Sequence, residues 1–553
     1  MRASALALLA LALAPAAARA GATIEIVNNN APGVGFNDST PATPVGGNPG
    51  TTLGDQRLAA FRHAAGIWGE TLDSRVPIRV RAQMTPLSCT ATSATLGSAG
   101  PTFVESDFEG AEYPDRWYHV ALANKRAGVD FVPGQPHINA NFNSELGKPG
   151  CLTGSPFYLG FDRAPAGQIS LVTVLLHEFA HGLGFSSVTN VSTGALLASR
   201  SDVYSKFLLD LTTGKTRDEM TQAERVASAI NFRKVAWTGP RVTSSVPGVL
   251  AAGTPLLSAG GTDYVVATAA FGPPLGSPNV TAPLVAALDA ADAAGPSTFD
   301  ACSAILSDVA GKVALVTRGT CGFAVKVKNA QLAGAVAVVV QNNAAGSAIA
   351  LGGADPTITI PTASVSLADG NTLRAALAGG PITAFVGVDP GVRSGASRSG
   401  FALMYSVNPV APGSSISHWD TSAFPNQLME PAINADLTFS VQPPQDLTLP
   451  MFRDIGWYLD RDLDFVDDET ADRCLGSDLR ATVIVGGVDT GVTNTFFTDG
   501  CSIVDRVNRC KVDPAPHGDY VSCVSAWTNT LKAAGELTGA QKAAIQAAAA
   551  KNK

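Results

Sequence analysis

Two histidines and a glutamate stand in the segment LLHEFAHGLGF, residues 175–185, in the pattern H-E-x-x-H. His177 and His181 are four residues apart, so on a helix both imidazoles lie on one face and reach the same metal ion. Glu178 is placed to accept a proton from water rather than to bind the metal. A chance match with two core histidines is the alternative, but the apolar run ISLVTVLL upstream and Gly184 downstream favour a zinc site.

The third metal ligand is missing from its usual place. A catalytic zinc ion takes three protein ligands and keeps one position open. In the longer motif H-E-x-x-H-x-x-G-x-x-H this chain has Gly184, but Ser187 occupies the last position. The candidates further along are His418, in GSSISHWDTSAFPNQLMEP, and Asp202, in SRSDVYSKF. Glu430 and Asp420 are weaker rivals.

The two blocks HEFAHGLGF and SHWD…LMEP resemble the leishmanolysin-type metzincin peptidases. In that family an insertion displaces the third zinc histidine, and a methionine turn follows it. The resemblance implies that His177, His181 and His418 bind one catalytic zinc ion and that Glu178 is the general base. It also implies that Met429 lies in the turn beneath the metal, and Pro431 favours a turn at that point.

The elements that must position these residues predict an α+β fold, a twisted sheet packed on the active-site helix. The resemblance covers roughly residues 22–245 and 395–460. Hydrophobic periodicity predicts a strand at 22–27, a helix at 55–72, a strand at 76–84 and an edge strand at HINANF, 137–142. We expect the last of these to bind an extended peptide substrate by backbone pairing.

An α/β domain interrupts this arrangement. The segment DACSAI…GKVALVTRGTCGFAVKVKNAQLAGAVAVVVQNN reads as strand, loop, helix and strand, and it closely resembles a protease-associated (PA) domain. The resemblance implies a noncatalytic module that shapes substrate access or binds a partner, with Cys302 and Cys321 as its disulfide. An inert spacer is the alternative interpretation.

The cysteines and the N-terminus indicate an exported protein. Eight cysteines, none in a C-x-x-C zinc spacing, favour disulfides. Their positions suggest the pairs Cys89 with Cys151 and Cys302 with Cys321, and leave three connectivities open for the last four. Residues 1–20, MRASALALLALALAPAAARA, have the pattern of a signal peptide, which predicts an extracellular or periplasmic location.

Composition excludes several partner classes. The 553 residues are 46% hydrophobic and 15% charged, which is typical of a globular chain with about three or four domains. A formal net charge of -8 and a pI near 5.4 argue against nucleic acid or an anionic membrane as partner. No segment after the signal peptide offers about 18 uninterrupted apolar residues, so no stable membrane insertion is expected.

The C-terminal part begins with the acidic stretch DRDLDFVDDETADRC. Asp460, Asp462 and Asp464 alternate as oxygen ligands do in calcium loops, and the stretch faintly resembles a thrombospondin type-3 repeat. The favoured interpretation is a solvated acidic linker, with a Ca²⁺ site as the alternative. The predicted organisation is a signal peptide at 1–20, a metallopeptidase domain at 21–261 and 393–459, a PA domain at 262–392, and the linker with a small disulfide-rich module at 460–553.

The function predicted from these features is that of an exported zinc metalloendopeptidase acting on protein or peptide substrates. A noncatalytic zinc-containing binding protein on a peptidase scaffold is the first alternative, and the presence of Glu178 argues against it. An aminopeptidase is the second alternative, suggested by the PA resemblance alone. That reaction needs a carboxylate-rich two-metal site, and no such cluster accompanies the H-E-x-x-H motif.

Overall fold

The computed structural model describes residues 21–460, 462, 464–511 and 516–551. The predicted signal peptide, residues 1–20, lies outside the described residues. No helix in the described part of the chain is long and apolar enough to cross a membrane.

We call residues 21–251 and 394–459 the core unit. Its strands before the insert are β1 Ile24–Asn28, β2 Ile78–Thr85, β3 Gly97–Pro101, β4 Val104–Glu105, β5 Arg116–His119, β6 Ile138–Asn143, β7 Phe157–Tyr158, β8 Ile169–Ser170, β9 Ser201–Asp202, β10 Leu208–Asp210, β11 Lys215–Thr216 and β12 Val235–Trp237. Its helices there are α1 Leu53–Thr71, α2 Val120–Ala127, α3 Leu171–Leu183, α4 Gln222–Ala229 and α5 Pro240–Val249, with short 3₁₀ turns at Gly35–Asn37 and Ser205–Phe207.

We call residues 252–393 the insert. It contains β13 Ala252–Ala259, β14 Thr262–Val265, β15 Ala267–Thr268, β16 Val280–Ala286, β17 Val313–Thr317, α6 Phe323–Leu332, β18 Ala337–Gln341, β19 Thr362–Val365, α7 Leu367–Leu377 and β20 Ile382–Arg393. The core unit resumes with β21 Ala402–Leu403 and α8 Thr448–Ile455. The C-terminal module, residues 474–551, holds β22 Thr482–Val485, β23 Val488–Thr493, α9 Ile503–Arg509, α10 His517–Ala533 and α11 Gly539–Lys551.

The main sheet of the core unit has the strand order β1-β2-β6-β3. β1, β2 and β6 are parallel, and β3 is antiparallel to β6. Alternate residues of β2 point into the core, since Ile78, Val80, Ala82 and Met84 are buried. Helices α1 and α3 pack on this sheet through one hydrophobic core, which also holds residues from both sides of the insert.

The predicted edge strand is wrong. Residues 138–143 form β6, which lies between β2 and β3. The edge strands are β1 and β3, and β3 has the Gly-rich sequence GSAGP, in which there is too little hydrophobic alternation to predict a strand. The edge next to β6 therefore belongs to Gly97–Pro101.

The insert forms an eight-stranded sheet, and the first and last residues of the insert lie next to each other. Its first and last strands, β13 and β20, pair antiparallel, with Ala252 opposite Arg393. β13 and β14 thus belong to the insert sheet, which begins upstream of the predicted boundary at residue 262. Because the ends meet, the core unit continues as though uninterrupted, and Trp237 of β12 pairs with Ala402 of β21. An insertion of this kind separates two parts of a site in sequence without separating them in space.

The structure pairs Cys89 with Cys151 and Cys302 with Cys321, as the grouping predicted. In the C-terminal module it selects one of the three connectivities left open, Cys474 with Cys501 and Cys510 with Cys523. These two bridges hold a small hydrophobic core around the hairpin β22–β23 and the last three helices.

The acidic segment, residues 460–472, is not the solvated linker that the sequence favoured. Asp460, Asp464 and Asp467 are only 2%, 6% and 7% exposed. The alternation of aspartates was read as a solvated run because sequence alone does not show what covers them. Here Asp460 lies against Arg126 of the core unit and Asp464 against Gly500 of the C-terminal module, whereas residues 469–471 are exposed.

Candidate metal centre

The helix carrying the H-E-x-x-H motif is fixed at both ends. Ser170 caps its start by accepting a hydrogen bond from the Thr173 N–H, and all thirteen residues of α3 are buried. Two tryptophans bind its backbone, since the Trp68 indole N–H donates to the Leu176 carbonyl at 3.1 Å and that of Trp457 to Leu183 at 2.9 Å. The motif residues are therefore held on a rigid element in the centre of the core unit.

Gly184 ends the helix. Its φ of +138° is a conformation that residues with a side chain rarely adopt. A Cβ at this position would also lie 2.7 Å from Cδ1 of Ile455. The turn at Gly184 brings the Phe185 carbonyl back over the last turn of α3, where it accepts a hydrogen bond from Nδ1 of His181 at 2.8 Å.

Three imidazoles converge beside this helix. The Nε2 atoms of His177, His181 and His418 form a triangle in which every side is 3.2 Å. The three side chains are 6%, 8% and 4% exposed. The candidate third ligand, 237 residues after His181, thus lies at the same point in space as the two motif histidines.

The opposite nitrogen of each ring donates to a backbone carbonyl. Nδ1 of His177 donates to Leu428 at 2.8 Å, that of His181 to Phe185 at 2.8 Å, and that of His418 to Ser414 at 2.9 Å. A neutral imidazole with its proton on Nδ1 has a lone pair on Nε2. Three lone pairs therefore face one another, an arrangement that is unfavourable unless a cation lies between them.

The arrangement fits a zinc ion. Zn–N bonds of about 2.0–2.1 Å at tetrahedral angles need nitrogen–nitrogen separations of about 3.3–3.4 Å, close to the observed triangle. Burial also keeps the rings neutral, since it lowers the pKa of His177 to about 4 and that of His181 to about 3. The pKa of His418 is likewise lowered by burial and by the two neighbouring rings. Neutral imidazoles are the form that binds metal.

Glu178 lies beside the triangle, under the sheet edge. It is 7% exposed, and burial raises the pKa of its carboxyl to about 8. β3 runs directly over it, and a Cβ on Gly97 would lie 2.8 Å from Cγ of Glu178. Only glycine leaves room for the strand and the carboxyl to lie this close together.

His418 lies on a loop whose backbone is strained. Ile416, two residues earlier, has a φ of +75°, which is rare for a β-branched residue. Its N–H donates to the Tyr405 carbonyl at 2.7 Å, and its own carbonyl accepts from the Tyr204 hydroxyl at 3.1 Å. Such a conformation costs on the order of 1–3 kcal/mol and persists because the surrounding bonds enforce it. The loop that positions His418 is thus pinned to the core unit on both sides.

The turn containing Met429 is joined to the same site. Met429 is fully buried, and its carbonyl accepts from the Trp419 N–H at 2.8 Å, next to His418. The Leu428 N–H donates to Oδ2 of Asp446 at 2.6 Å, and Oδ1 of the same carboxylate accepts from the Thr448 N–H at 2.7 Å. Asp446 therefore fixes the turn whose carbonyl orients His177.

The rival ligands are engaged elsewhere. Asp202 is 2% exposed and accepts from the hydroxyl of Ser187 at 2.7 Å and from two backbone N–H groups. Asp420 pairs with Arg233 at 2.9 Å. Glu430 accepts from the Gln427 N–H at 2.8 Å. None of these carboxylates joins the group formed by the three histidines in the described part of the chain.

A cleft of about 1050 Å³ opens over the triangle. One wall is the run Thr92–Ala99, which includes the first three residues of β3, and the opposite walls are the loops 412–418 and 431–433. Sequence reasoning did not predict the wall at 92–99. The sequence feature that corresponds to this wall is its run of small residues, which allows β3 to pass close to α3. This feature indicates a site only when the position of the helix is already known.

The insert matches a known family. A family model described as "PA domain" matches residues 280–373, inside the insert sheet. The chain thus contains a PA domain, as the sequence predicted.

Two curated relatives share part of the chain. "Probable leucine aminopeptidase 2" of Aspergillus fumigatus is 36% identical over 143 residues, which are 25% of this chain and 26% of the relative. "Minor extracellular protease Vpr" of Bacillus subtilis is 44% identical over 73 residues, 13% of this chain and 9% of the relative. The chain therefore spans about a quarter or less of the length of these relatives.

Solved structures give a similar partial likeness. An aminopeptidase from Aneurinibacillus sp. strain AM-1 is 28% identical with a TM-score of 0.20, over 25% of this chain and 31% of that one. A zinc aminopeptidase from Bacillus subtilis is 26% identical with a TM-score of 0.19, over 27% of this chain and 36% of that one. Scores this low carry no argument about the histidine site.

Proposed function

We propose that this chain is a zinc-dependent peptidase, and more narrowly an endopeptidase of the metzincin type that resembles leishmanolysin. The observation that carries the proposal is the 3.2 Å triangle of three neutral imidazole nitrogens with a buried glutamate next to it on the same helix. The broader class, a peptidase, has further support in the names of the two partial relatives.

In this proposal His177, His181 and His418 hold one zinc ion, which supplies a Lewis acid that polarises the scissile carbonyl and activates water. With its carboxyl ionised, the form that the positive charge of a bound ion would favour, Glu178 accepts a proton from the attacking water and passes it to the nitrogen of the leaving amine. The carbonyls of Leu428, Phe185 and Ser414 keep the three rings in the Nδ1–H form, with Nε2 directed into the site.

The substrate binds along β3. An extended peptide adds to the open edge of the sheet through backbone hydrogen bonds. β3 lies over Glu178, so a peptide paired with it lies across the triangle. This replaces the earlier expectation that residues 137–142 receive the substrate, since β6 already has strands on both sides. Protein or peptide chains without fixed structure are the substrates that this edge admits.

An exported location belongs to the same proposal. Four disulfides form in oxidising compartments, and one partial relative is named as an extracellular protease.

An aminopeptidase is the second candidate, because the name of one curated relative contains that word. The set of metal ligands argues against an aminopeptidase. In the described part of the chain the histidine group contains no carboxylate to hold a second ion. A noncatalytic zinc-binding protein is a third candidate, and it leaves Glu178 without a role.

The test uses one peptide in two forms. A ten-residue peptide acetylated at its N-terminus and amidated at its C-terminus is compared with the same peptide unblocked, together with leucine p-nitroanilide. The proposal predicts internal cleavage of both peptides at similar rates, by mass spectrometry, and little release of nitroaniline. Stepwise removal of N-terminal residues from the unblocked peptide alone would instead establish the aminopeptidase. Zinc content without cleavage of any peptide would favour the binding protein.

A further inference from the structure

A second cluster of potential metal ligands lies in the acidic segment. One carboxylate oxygen each from Asp460, Asp462 and Asp464 lie within 4.8 Å of one another. The same holds for Asp462, Asp468 and Asp472. Asp462 belongs to both groups, so the five carboxylates form one continuous cluster rather than two.

Among the described residues, four of these carboxylates leave one buried oxygen without a hydrogen-bond partner. The second oxygen of each is used within the protein. Asp462, Asp464 and Asp472 each accept a backbone N–H over 2.6–2.8 Å, and Asp460 accepts the Phe465 N–H at 3.2 Å. The remaining oxygens have no hydrogen-bond partner among the described residues, namely Oδ1 of Asp460, Oδ1 of Asp462, Oδ2 of Asp464 and Oδ2 of Asp472.

Two of the unpaired groups are more than nine-tenths buried. Asp460 is 2% exposed and Asp464 is 6% exposed. A buried carboxylate oxygen without a partner is strongly unfavourable, so it is expected to have a cation beside it. Arg126 supplies a positive charge on one side, 3.6 Å from Oδ2 of Asp460.

The C-terminal module contacts the cluster. Gly500 lies against it, and a Cβ there would be 2.0 Å from Oδ1 of Asp472 and 2.7 Å from Oδ2 of Asp464. The next residue, Cys501, is bonded to Cys474, which follows the acidic segment by two residues. Asp499, the residue before Gly500, also has one buried oxygen without a partner among the described residues. The module therefore covers one side of the cluster, and Asp462, Asp468 and Asp472 are half-buried.

We propose that this cluster binds calcium and that the bound ion fixes the C-terminal module to the core unit. All the ligands are oxygen atoms of carboxylates, which hard cations prefer, and no histidine or cysteine takes part. Ca²⁺ accepts six to eight oxygens in flexible geometry, whereas Mg²⁺ needs a near-ideal octahedron and retains its water. Four or more converging carboxylates on an irregular loop suit the larger ion.

The contacts around the segment show what the ion stabilises. The guanidinium of Arg126, on α2, lies 4.4 Å from the ring centre of Tyr458 and 5.7 Å from that of Phe465. The Tyr458 hydroxyl donates to the Phe465 carbonyl at 2.9 Å. Without a cation, repulsion among the aspartates opposes this packing. With one, the segment, α2 and the module form a single compact junction.

The first test is calcium binding to the full chain. Protein dialysed against a calcium-selective chelator, with its zinc content checked afterwards, is titrated with CaCl₂ and separately with MgCl₂ by calorimetry. We expect calcium to bind with a Kd at or below about 1 mM, the range of extracellular modules, and magnesium to bind at least about tenfold more weakly. Hydrogen exchange with mass spectrometry then locates the effect. Calcium should slow exchange in peptides covering residues 458–475 and 499–501.

The second test is the double variant Asp462→Asn with Asp464→Asn. It should bind calcium at least about tenfold more weakly, and its melting temperature without calcium should equal or exceed that of the wild type, because repulsion is relieved. Asp308→Asn, an exposed aspartate of the insert, is the control and should keep the calcium response. Calcium binding unchanged in the double variant, or no exchange protection at 458–475 in the wild type, would overturn the proposal. The exchange measurement decides even if the double variant does not fold.

Discussion

Nδ1 of His177 donates a hydrogen bond of 2.8 Å to the carbonyl oxygen of Leu428, across 251 residues of sequence. This bond joins the helix of the H-E-x-x-H motif to the turn of Met429. The Leu428 N–H in turn donates to the buried carboxylate of Asp446 at 2.6 Å. One continuous chain of hydrogen bonds thus runs from Asp446 through the turn to a candidate metal ligand.

Asp446 should therefore control metal affinity without touching the metal. In Asp446→Asn one of the two accepted N–H bonds is lost, and the new NH₂ faces a backbone donor. We expect zinc affinity to fall about 10–100-fold and stability to fall by about 1–3 kcal/mol. Competition with a zinc chelator and urea unfolding measure the two effects. Asp436→Asn, exposed and hydrogen-bonded to Asn426, is the control and should change neither. Unaltered affinity in Asp446→Asn would show that the turn does not orient His177.

The same carboxyl gives a pH prediction. Burial raises the pKa of Asp446 from 3.8 to about 6 in the folded protein. The folded state then holds a proton that the unfolded state has lost, so this group's contribution to stability falls as pH rises from about 4 to about 6, by up to about 3 kcal/mol. The stability difference between wild type and Asp446→Asn should accordingly be larger at pH 4 than at pH 7. Melting temperatures of both proteins across this range provide the measurement, and a difference that grows with pH would refute the assignment.

Glu178→Gln should separate metal binding from proton transfer. Glutamine keeps the size of the side chain but does not accept a proton. We expect the variant to retain its zinc and to lose about 10²–10⁴-fold in kcat on the blocked peptide. Glu70→Gln, an exposed residue at the end of α1, serves as the matched control. Zinc loss in Glu178→Gln would mean that this carboxylate is a metal ligand instead.

β3 contains two glycines, Gly97 and Gly100, that differ in how much space a Cβ would have. A Cβ at Gly97 would lie 2.8 Å from Cγ of Glu178, whereas a Cβ at Gly100 on the same strand has nothing within 4 Å. Gly97→Ala should displace Glu178 and lower kcat by about tenfold or more, since misplacing a reacting group by about 1 Å costs up to about 10²-fold. Gly100→Ala should lower kcat much less than Gly97→Ala, because its Cβ meets no neighbouring atom and leaves Glu178 in place. Equal activity of the two variants would exclude the close approach of strand and base.

The sequence predicted some parts of this site and not others. The motif helix was predictable because apolar residues and His177, Glu178 and His181 share one local pattern. His418 was not predictable from spacing, since an insert of arbitrary length separates it from the motif, and only the family resemblance favoured it over Asp202. β3 was not predicted, because its residues are small where the strand passes close to Glu178, and that proximity exists only in the folded chain. The burial of Asp464 likewise depends on residues distant in sequence, since Gly500 of the C-terminal module lies against it.

The central claim is that His177, His181 and His418 together bind one zinc ion. The most direct test is elemental analysis of the purified wild type, His418→Ala and Asp202→Ala, together with casein digestion. The account predicts one zinc per wild-type chain, loss of both zinc and digestion in His418→Ala, and retained zinc in folded Asp202→Ala, whose carboxylate supports only the local loop. Zinc and activity that survive in His418→Ala but disappear in Asp202→Ala would contradict it.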